Sequence, residues 1–335
     1  MFRKIKSTVF ETVISLGAYR LSQLLSQNTP KILVFHRFSA SSSKGKIDGG
    51  LFEKQLLELK SRFNVVPLDA VVQSIKSKVP TVKNAIVLTI DDGYSDFYSI
   101  AYPILKKYSL PATLYVTSDF VDKKIWLWPD RLSYVLSNTK KDNYIFHKNN
   151  ESMEYLLKDE DYYGSLWHAL AEHCLSISNQ ERINFITEFE QDLEVELPEY
   201  PTEEYSPLSW GQISEMANNG IEIGAHTCTH PSLTKTNDDE LTYEISGCKK
   251  KLEEKLGVEV KSFSYPNGTQ QDYNERVMQA IEKAGFTSSA VCFADALSYT
   301  SLFDLRRYGV GNNMRQFHNV IYGIKFLQNK ALTGY

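Results

Sequence analysis

Cysteine is scarce in this 335-residue chain. The four present, Cys174, Cys228, Cys248 and Cys292, are widely spaced and form no C-x-x-C pair, which excludes a disulfide-rich secreted scaffold and a zinc ribbon. They read as free thiols of a reducing compartment. A basic excess is also lacking: 37 Lys and Arg stand against 41 Asp and Glu, for a net charge of −4 and a pI near 6.0. Without a positive field the chain has nothing to draw in a polyanion, so a nucleic-acid partner is excluded. No apolar run reaches the roughly 20 residues that span a bilayer, and there is no internal repeat or low-complexity tract. What remains, 42% hydrophobic and 23% charged residues, is ordinary for a globular protein with a sizeable core.

The N-terminus opens with Arg3, Lys4 and Lys6 and continues through Val9, Phe10, Val13, Ile14 and Leu16. Glu11, Thr12 and Arg20 interrupt the apolar run and no small-residue cleavage site follows, against the pattern of a signal peptide. Residues 1–29 are read as an amphipathic helix, either packed on the body of the protein or lying on a membrane surface with its basic residues toward anionic lipid. Both readings predict a cytoplasmic protein, in the second case peripheral to the inner face of the membrane.

Six short runs are apolar without alternation: Ile32 to Phe35, Ala85 to Ile90, Ala112 to Val116, Ile221 to Ala225, Val260 to Phe263 and Ser289 to Phe293. Such runs predict strands buried on both faces, the habit of parallel sheets. Helical patterns over Leu51 to Phe63, Tyr98 to Tyr108, Trp210 to Asn219, Asp238 to Leu256 and Tyr273 to Ala284 alternate with them, which makes the class α/β. Ser209 and Gln212 have capping-box spacing, and Gly220, Gly257 and Gly285 each follow a helical stretch. From about 120 to 206 the rhythm breaks into a segment rich in Tyr, Glu and Asn, read as a helical insertion into a domain spanning 30–335 that shapes the substrate cleft.

Polar groups gather where these strands end, the rim on which α/β folds build active sites. His36 ends the first run, Asp91 and Asp92 the second, His226 the fourth, and Tyr265 with Pro266 the fifth. Two adjacent carboxylates at the mouth of an apolar strand repel each other, an arrangement sustained most easily by a cation against one of them. His226 and His230 form an i, i+4 pair, and Pro231 disfavours helix there, so the pair sits in a loop leaving the strand. Neutral imidazoles are favoured zinc ligands, and catalytic zinc sites use three protein ligands with one position left for water. Two histidines and one carboxylate meet that count, and the spare carboxylate is the natural base for the water. Cys228, between the histidines, is read as a small spacer.

Thr89-Ile90-Asp91-Asp92-Gly93, His226-Thr227-Cys228-Thr229-His230 and Phe263-Ser264-Tyr265-Pro266-Asn267-Gly268 resemble, in order and spacing, the first three motifs of the polysaccharide deacetylases, the NodB-homology domain or carbohydrate esterase family 4. Ile32 to Phe38, Leu208-Ser209-Trp210 and Gly220 to His226 extend the resemblance over most of residues 30–310. It implies a distorted (β/α) barrel, and a divalent metal on Asp92, His226 and His230, with zinc the first candidate and cobalt or nickel the others. It further implies Asp91 as base and an N-acetylated glycan as substrate. The tetrahedral oxyanion would be held by the metal and by a backbone amide near Tyr265, Pro266 and Asn267.

The chain departs from the family pattern twice. The third motif often carries an arginine that orients the base, where this chain has Ser264; Arg307 is the candidate replacement and, with His36, Tyr265, Pro266 and Asn267, a candidate substrate contact. The general acid is usually a histidine of a late Leu-x-His motif, absent here, which leaves His36 and His318 as candidates. Tyr94, Trp126, Trp128, Trp210 and Tyr265 could stack on sugar rings; Trp210 is assigned to the core and Tyr265 to the site. The leading expectation is therefore a deacetylase of N-acetylhexosamine units in surface polysaccharide or lipid-linked glycan synthesis. Two others stay open: a catalytically silent carbohydrate-binding protein of the same fold, and a hydrolase of a non-sugar amide.

Overall fold

Eight parallel strands form the centre of the molecule, because their short apolar sequences must be covered on both faces. The structure is a computed structural model that describes residues 18–148, 151–157, 160–295 and 299–333. In chain order the strands are β1 (Lys31–Phe35), β2 (Asn64–Val65), β3 (Ala85–Ile90), β4 (Ala112–Val116), β5 (Ile221–Ala225), β6 (Ser262–Ser264), β7 (Ser288–Ala290) and β8 (Arg307–Gly309). The spatial order is β7-β6-β5-β4-β3-β1-β8, with β2 pairing the start of β3 and β4 its end. A single parallel bridge between Ala290 and Leu305 joins β7 to the approach of β8, so the sheet nearly closes into a distorted (β/α) barrel.

Strands β1, β3 and β4 are buried at every position, which explains why their sequences do not alternate. Gly224 in β5 lies against the Tyr115 ring of β4; a Cβ there would stand 2.4 Å from Tyr115 Cδ1. Helices flank the sheet. Trp210–Asn218 starts with the expected reciprocal bonds between Ser209 and Gln212, and Gly220 beyond its end has φ 91°. The long helix expected over Asp238 to Leu256 is three pieces, Asp238–Thr242 and Cys248–Leu256 around a π-turn, Tyr243–Gly247.

The segment between β4 and β5 carries the helices Trp128–Asn138, Glu160–Ser176 and Asn179–Asp192. It also contains an antiparallel hairpin, Asn143–Lys148 with Glu151–Leu156, where the sequence showed no strand. The hairpin is mostly solvent-facing, so it lacks the apolar run that marks a buried strand. Trp128, Leu132, Phe146, Leu170 and Phe189 give this segment its own apolar core, separate from the barrel's. Of the N-terminal helix, Ala18–Ser26 is helical and residues 1–17 lie outside the described residues. Tyr19 packs on Tyr322, 4.9 Å between ring centroids, while Leu21, Leu24 and Leu25 face outward. Among the described residues no helix is long and apolar enough to cross a membrane.

Candidate active site

The first motif runs out of the end of β3. Asp91 donates its amide to Phe35 O, continuing the pairing with β1, and Gly93 turns the chain away at φ 98°. Asp92 between them has φ 76°, a left-handed conformation uncommon outside glycine, though aspartate tolerates it better than most residues. Thr227 (φ 68°), His230 (φ 61°) and Asn267 (φ 59°) are left-handed too. A β-branched residue in that region is an outlier. Four of the nine described non-glycine residues with positive φ thus lie on the rim that carries the polar groups, where side-chain placement outweighs local stability.

The loop after β5 is fixed by a residue that the sequence did not single out. Glu244, on the π-turn, accepts the amides of Cys228 and Thr229, each at 2.8 Å, and Thr227 Oγ1 accepts the amide of His230. This curl brings both imidazoles to Asp92: Asp92 Oδ1 lies 3.3 Å from His226 Nε2 and 3.4 Å from His230 Nε2. Cys228 turns its thiol away to Tyr243 O, in keeping with a spacer.

The chemistry of these contacts suits a metal. His226 Nδ1 lies 2.8 Å from Ser264 O, a bond it can make only as donor, so the ring in its neutral form turns the lone pair of Nε2 toward Asp92. Asp92 Oδ1 is buried and has no hydrogen-bond partner. An unprotonated nitrogen facing an unprotonated oxygen is repulsive unless a cation stands between. Two ligand atoms each about 2.1 Å from one ion at a tetrahedral angle are about 3.4 Å apart, which matches both separations. Asp92, His226 and His230 are also the described cluster whose ligand atoms lie within 4.8 Å of one another. Their chemistry fits a divalent ion such as zinc.

Asp91 is held differently. Buried Arg307 grips it with two parallel bonds, Nη1 to Oδ1 and Nη2 to Oδ2, both 2.7 Å. The other guanidinium hydrogens go to Thr89 Oγ1, Ser264 Oγ and Val291 O, so all five donors are used. The cation lost from motif three is thus supplied from β8, and Ser264 fills the space between by donating to Asp91 and accepting from Arg307. Burial favours the neutral acid, but Arg307, His226 and His36 together outweigh it and hold the Asp91 carboxyl below its ordinary range. Asp91 is therefore ionised at neutral pH.

The site opens into a cleft of about 670 Å³ whose lining includes His36, Asp91, Asp92, His226, His230, Tyr265 and Asn267. His36 is half-exposed there, its Nε2 3.9 Å from Asp91 Oδ2. His318 is elsewhere: its Nε2 pairs with Glu58 at 2.7 Å, which removes it from consideration as the acid. Two expected substrate contacts need correction. Pro266 is buried and does not border the cleft, and Arg307, being fully enclosed, can touch only Asp91 and its supports. Tyr265 borders the cleft but turns its hydroxyl to Phe303 O. Among the aromatic candidates Tyr94 lines the cleft, Trp128 lies in the inserted core, and Trp210 packs on the barrel core with its Nε1 on Asp122. Trp126 donates to Pro198 O and does not border the cleft.

Comparison with known proteins agrees with this geometry. Residues 78–289 match the family model described as polysaccharide deacetylase. Among curated proteins the chain is similar to YxkH of Bacillus subtilis (strain 168), named as a polysaccharide deacetylase, with 23% identity over 257 residues, 76% of this chain. It spans 61% of that relative's length. Among solved structures it is similar in fold to the Streptococcus pyogenes deacetylase PplD in complex with acetate, at TM-score 0.57 and 19% identity, over 89% of this chain and 96% of that one. IcaB from Ammonifex degensii is similar at TM-score 0.55 and 16% identity, over 88% and 97% of the two chains. The chain belongs to the polysaccharide deacetylase family, with the distorted (β/α) barrel of that family as its fold.

Proposed function

We propose that the protein is a metal-dependent hydrolase that removes N-acetyl groups from the amino sugars of a polysaccharide or lipid-linked glycan. The observation that carries this reading is the division of labour between neighbouring carboxylates: Asp92 shares the imidazole pair, while Asp91, held by Arg307, stays free to accept a proton. A divalent ion on Asp92, His226 and His230 would supply Lewis acidity for the acetyl carbonyl and lower the pKa of the attacking water.

The chain's own residues do the rest. Asp91, ionised and fixed in orientation, takes the proton of the water as its oxygen bonds to the acetyl carbon. His36, across the cleft mouth from Asp91, is placed to protonate the leaving nitrogen as the carbon–nitrogen bond breaks, giving acetate and a free amine. Of the amides expected to hold the oxyanion, that of Tyr265 is engaged by Ala290 O, and Pro266 has none. Asn267 remains, with its Nδ2 also buried and without a partner, as the donor for the developing charge.

The test is acetate release from N-acetylglucosamine oligomers by protein loaded with zinc, cobalt or nickel, and its loss in Asp91→Asn. Metal-loaded protein that releases acetate from no N-acylated sugar would refute the reading. We also place the enzyme in the cytoplasm against the inner membrane face. The outward Leu21, Leu24 and Leu25, on a chain whose sequence also carries Arg3, Lys4 and Lys6, support this placement. Recovery in an exported fraction would contradict it.

A further inference from the structure

The wall of the cleft opposite the barrel is made by the inserted helices, and it contains a carboxyl that the chemistry above does not use. Asp130 lies in the first turn of Trp128–Asn138 and is only 6% exposed. Its Oδ2 accepts from Tyr94 OH at 2.7 Å. Tyr94 in turn lies under the Arg37 guanidinium, 3.9 Å from the ring centroid, and Arg37 is fixed by a 2.7 Å bond from Nε to Asp96. One carboxylate oxygen is thus rigidly held. No donor among the described residues reaches the other, Oδ1, which is not enclosed and opens on the cleft that Asp130 borders.

Trp167, from the next inserted helix, borders the same cleft with its Nε1 tied to Ser133 Oγ at 3.0 Å. An indole fixed by its edge offers a face at little further entropic cost, the arrangement that suits the apolar face of a sugar ring. The cleft volume of about 670 Å³ is far more than an acetamido group needs and lies in the range of sites for sizeable ligands.

We propose that the inserted helices form a sugar subsite in which Asp130 Oδ1 accepts hydroxyl hydrogen bonds from a pyranose ring adjoining the reacting residue, and Trp167 is the platform for that ring. The ligand class is a neutral, hydroxyl-rich glycan of at least two units, bound so that its acetamido group reaches Asp91. This rests on the deacetylase reading above. Burial, the largest influence, pushes the Asp130 carboxyl up to about 7.

The alternative is that Asp130 only ties the insertion to the barrel through Tyr94, and the two roles separate by kinetics. The full metal-loaded chain is assayed on N-acetylglucosamine pentamer and on 4-nitrophenyl acetate, an ester without a sugar. Asp130→Asn keeps an acceptor for Tyr94, and with Trp167→Ala it should raise KM for the pentamer about 10-fold. In both variants kcat should stay within about twofold and the ester rate should not change, since neither variant touches the metal ligands or Asp91. Unchanged pentamer KM in both variants overturns the subsite and leaves the deacetylase reading intact, as does an equal loss on both probes. Wild-type protein that cleaves the ester but no N-acetyl sugar overturns the deacetylase reading and the subsite with it.

Discussion

Replacing Arg307 by Met tests the support of the base more sharply than any change to the base itself. The substitution keeps the apolar stem and removes five donors, two of them on Asp91 at 2.7 Å. What remains is a carboxylate that is 2% exposed with no cation bonded to it. Removing one partner of a buried pair costs about 3–5 kcal/mol, mostly because the other charge is left uncompensated. That is a large part of the roughly 5–15 kcal/mol that stabilises an ordinary domain. Urea unfolding at pH 7 reads the loss directly.

The sign with pH follows from the depressed Asp91 carboxyl. Its stabilisation is present above the unfolded value of about 4 and disappears as pH falls through the lower folded value, so the variant's deficit should shrink in acid. Adding Asp91→Asn should restore stability relative to Arg307→Met alone, because the stranded charge is gone. In kinetics the acid limb of kcat/KM should move up by about 1–3 pH units, the span over which an adjacent cation depresses a carboxylate. An Arg307→Met protein within about 1 kcal/mol of wild type, with its acid limb unmoved, would refute this account of how the base is held.

Three other outcomes follow from the geometry. Gly224→Ala, whose Cβ would meet the rigid Tyr115 ring at 2.4 Å and Ser262 Oγ at 2.9 Å, should cost about 1–3 kcal/mol in urea unfolding and weaken metal binding by shifting His226; equal stability would contradict the close approach. Glu244→Ala should leave the barrel folded but weaken metal binding roughly 10–100-fold in calorimetric titration, since it frees the amides of Cys228 and Thr229 that curl the histidine loop. In chelated protein Asp130, raised to about 7, binds its proton more tightly folded than unfolded, so stability should fall between about pH 4 and 7, by up to about 4 kcal/mol, and Asp130→Asn should flatten that fall.

The readable part of the fold is the part buried on both faces. β3, β4 and β5 match the expected runs residue for residue, because continuous apolar sequence is what a covered parallel strand requires. β8 escaped notice: three residues, Arg307, Tyr308 and Gly309, carry no run, and the Arg is inside only because Asp91 waits there. Its neighbour Arg306 points the other way, to Asp295 and Asp304, as alternation along a strand dictates. The helix Leu68–Ser77 and the two that end the chain, Met314–Ile321 and Ile324–Thr333, were also not anticipated. The candidate metal triad was legible because its residue types are rare and sit at strand ends. Glu244 and Asp130 were not, since one acid in a helix looks like another until the chain folds it against a loop or a cleft.

The central claim is that Asp92, His226 and His230 hold one divalent ion while Asp91 does not. Calorimetric titration of chelated protein with zinc tests it most directly. One ion per chain is expected in wild type and in Asp91→Asn. In Asp92→Asn, His226→Gln and His230→Gln, affinity should fall by more than the roughly 10–100-fold that follows loss of a supporting partner. Wild-type affinity in the three triad variants, or loss of the ion in Asp91→Asn alone, would contradict the assignment.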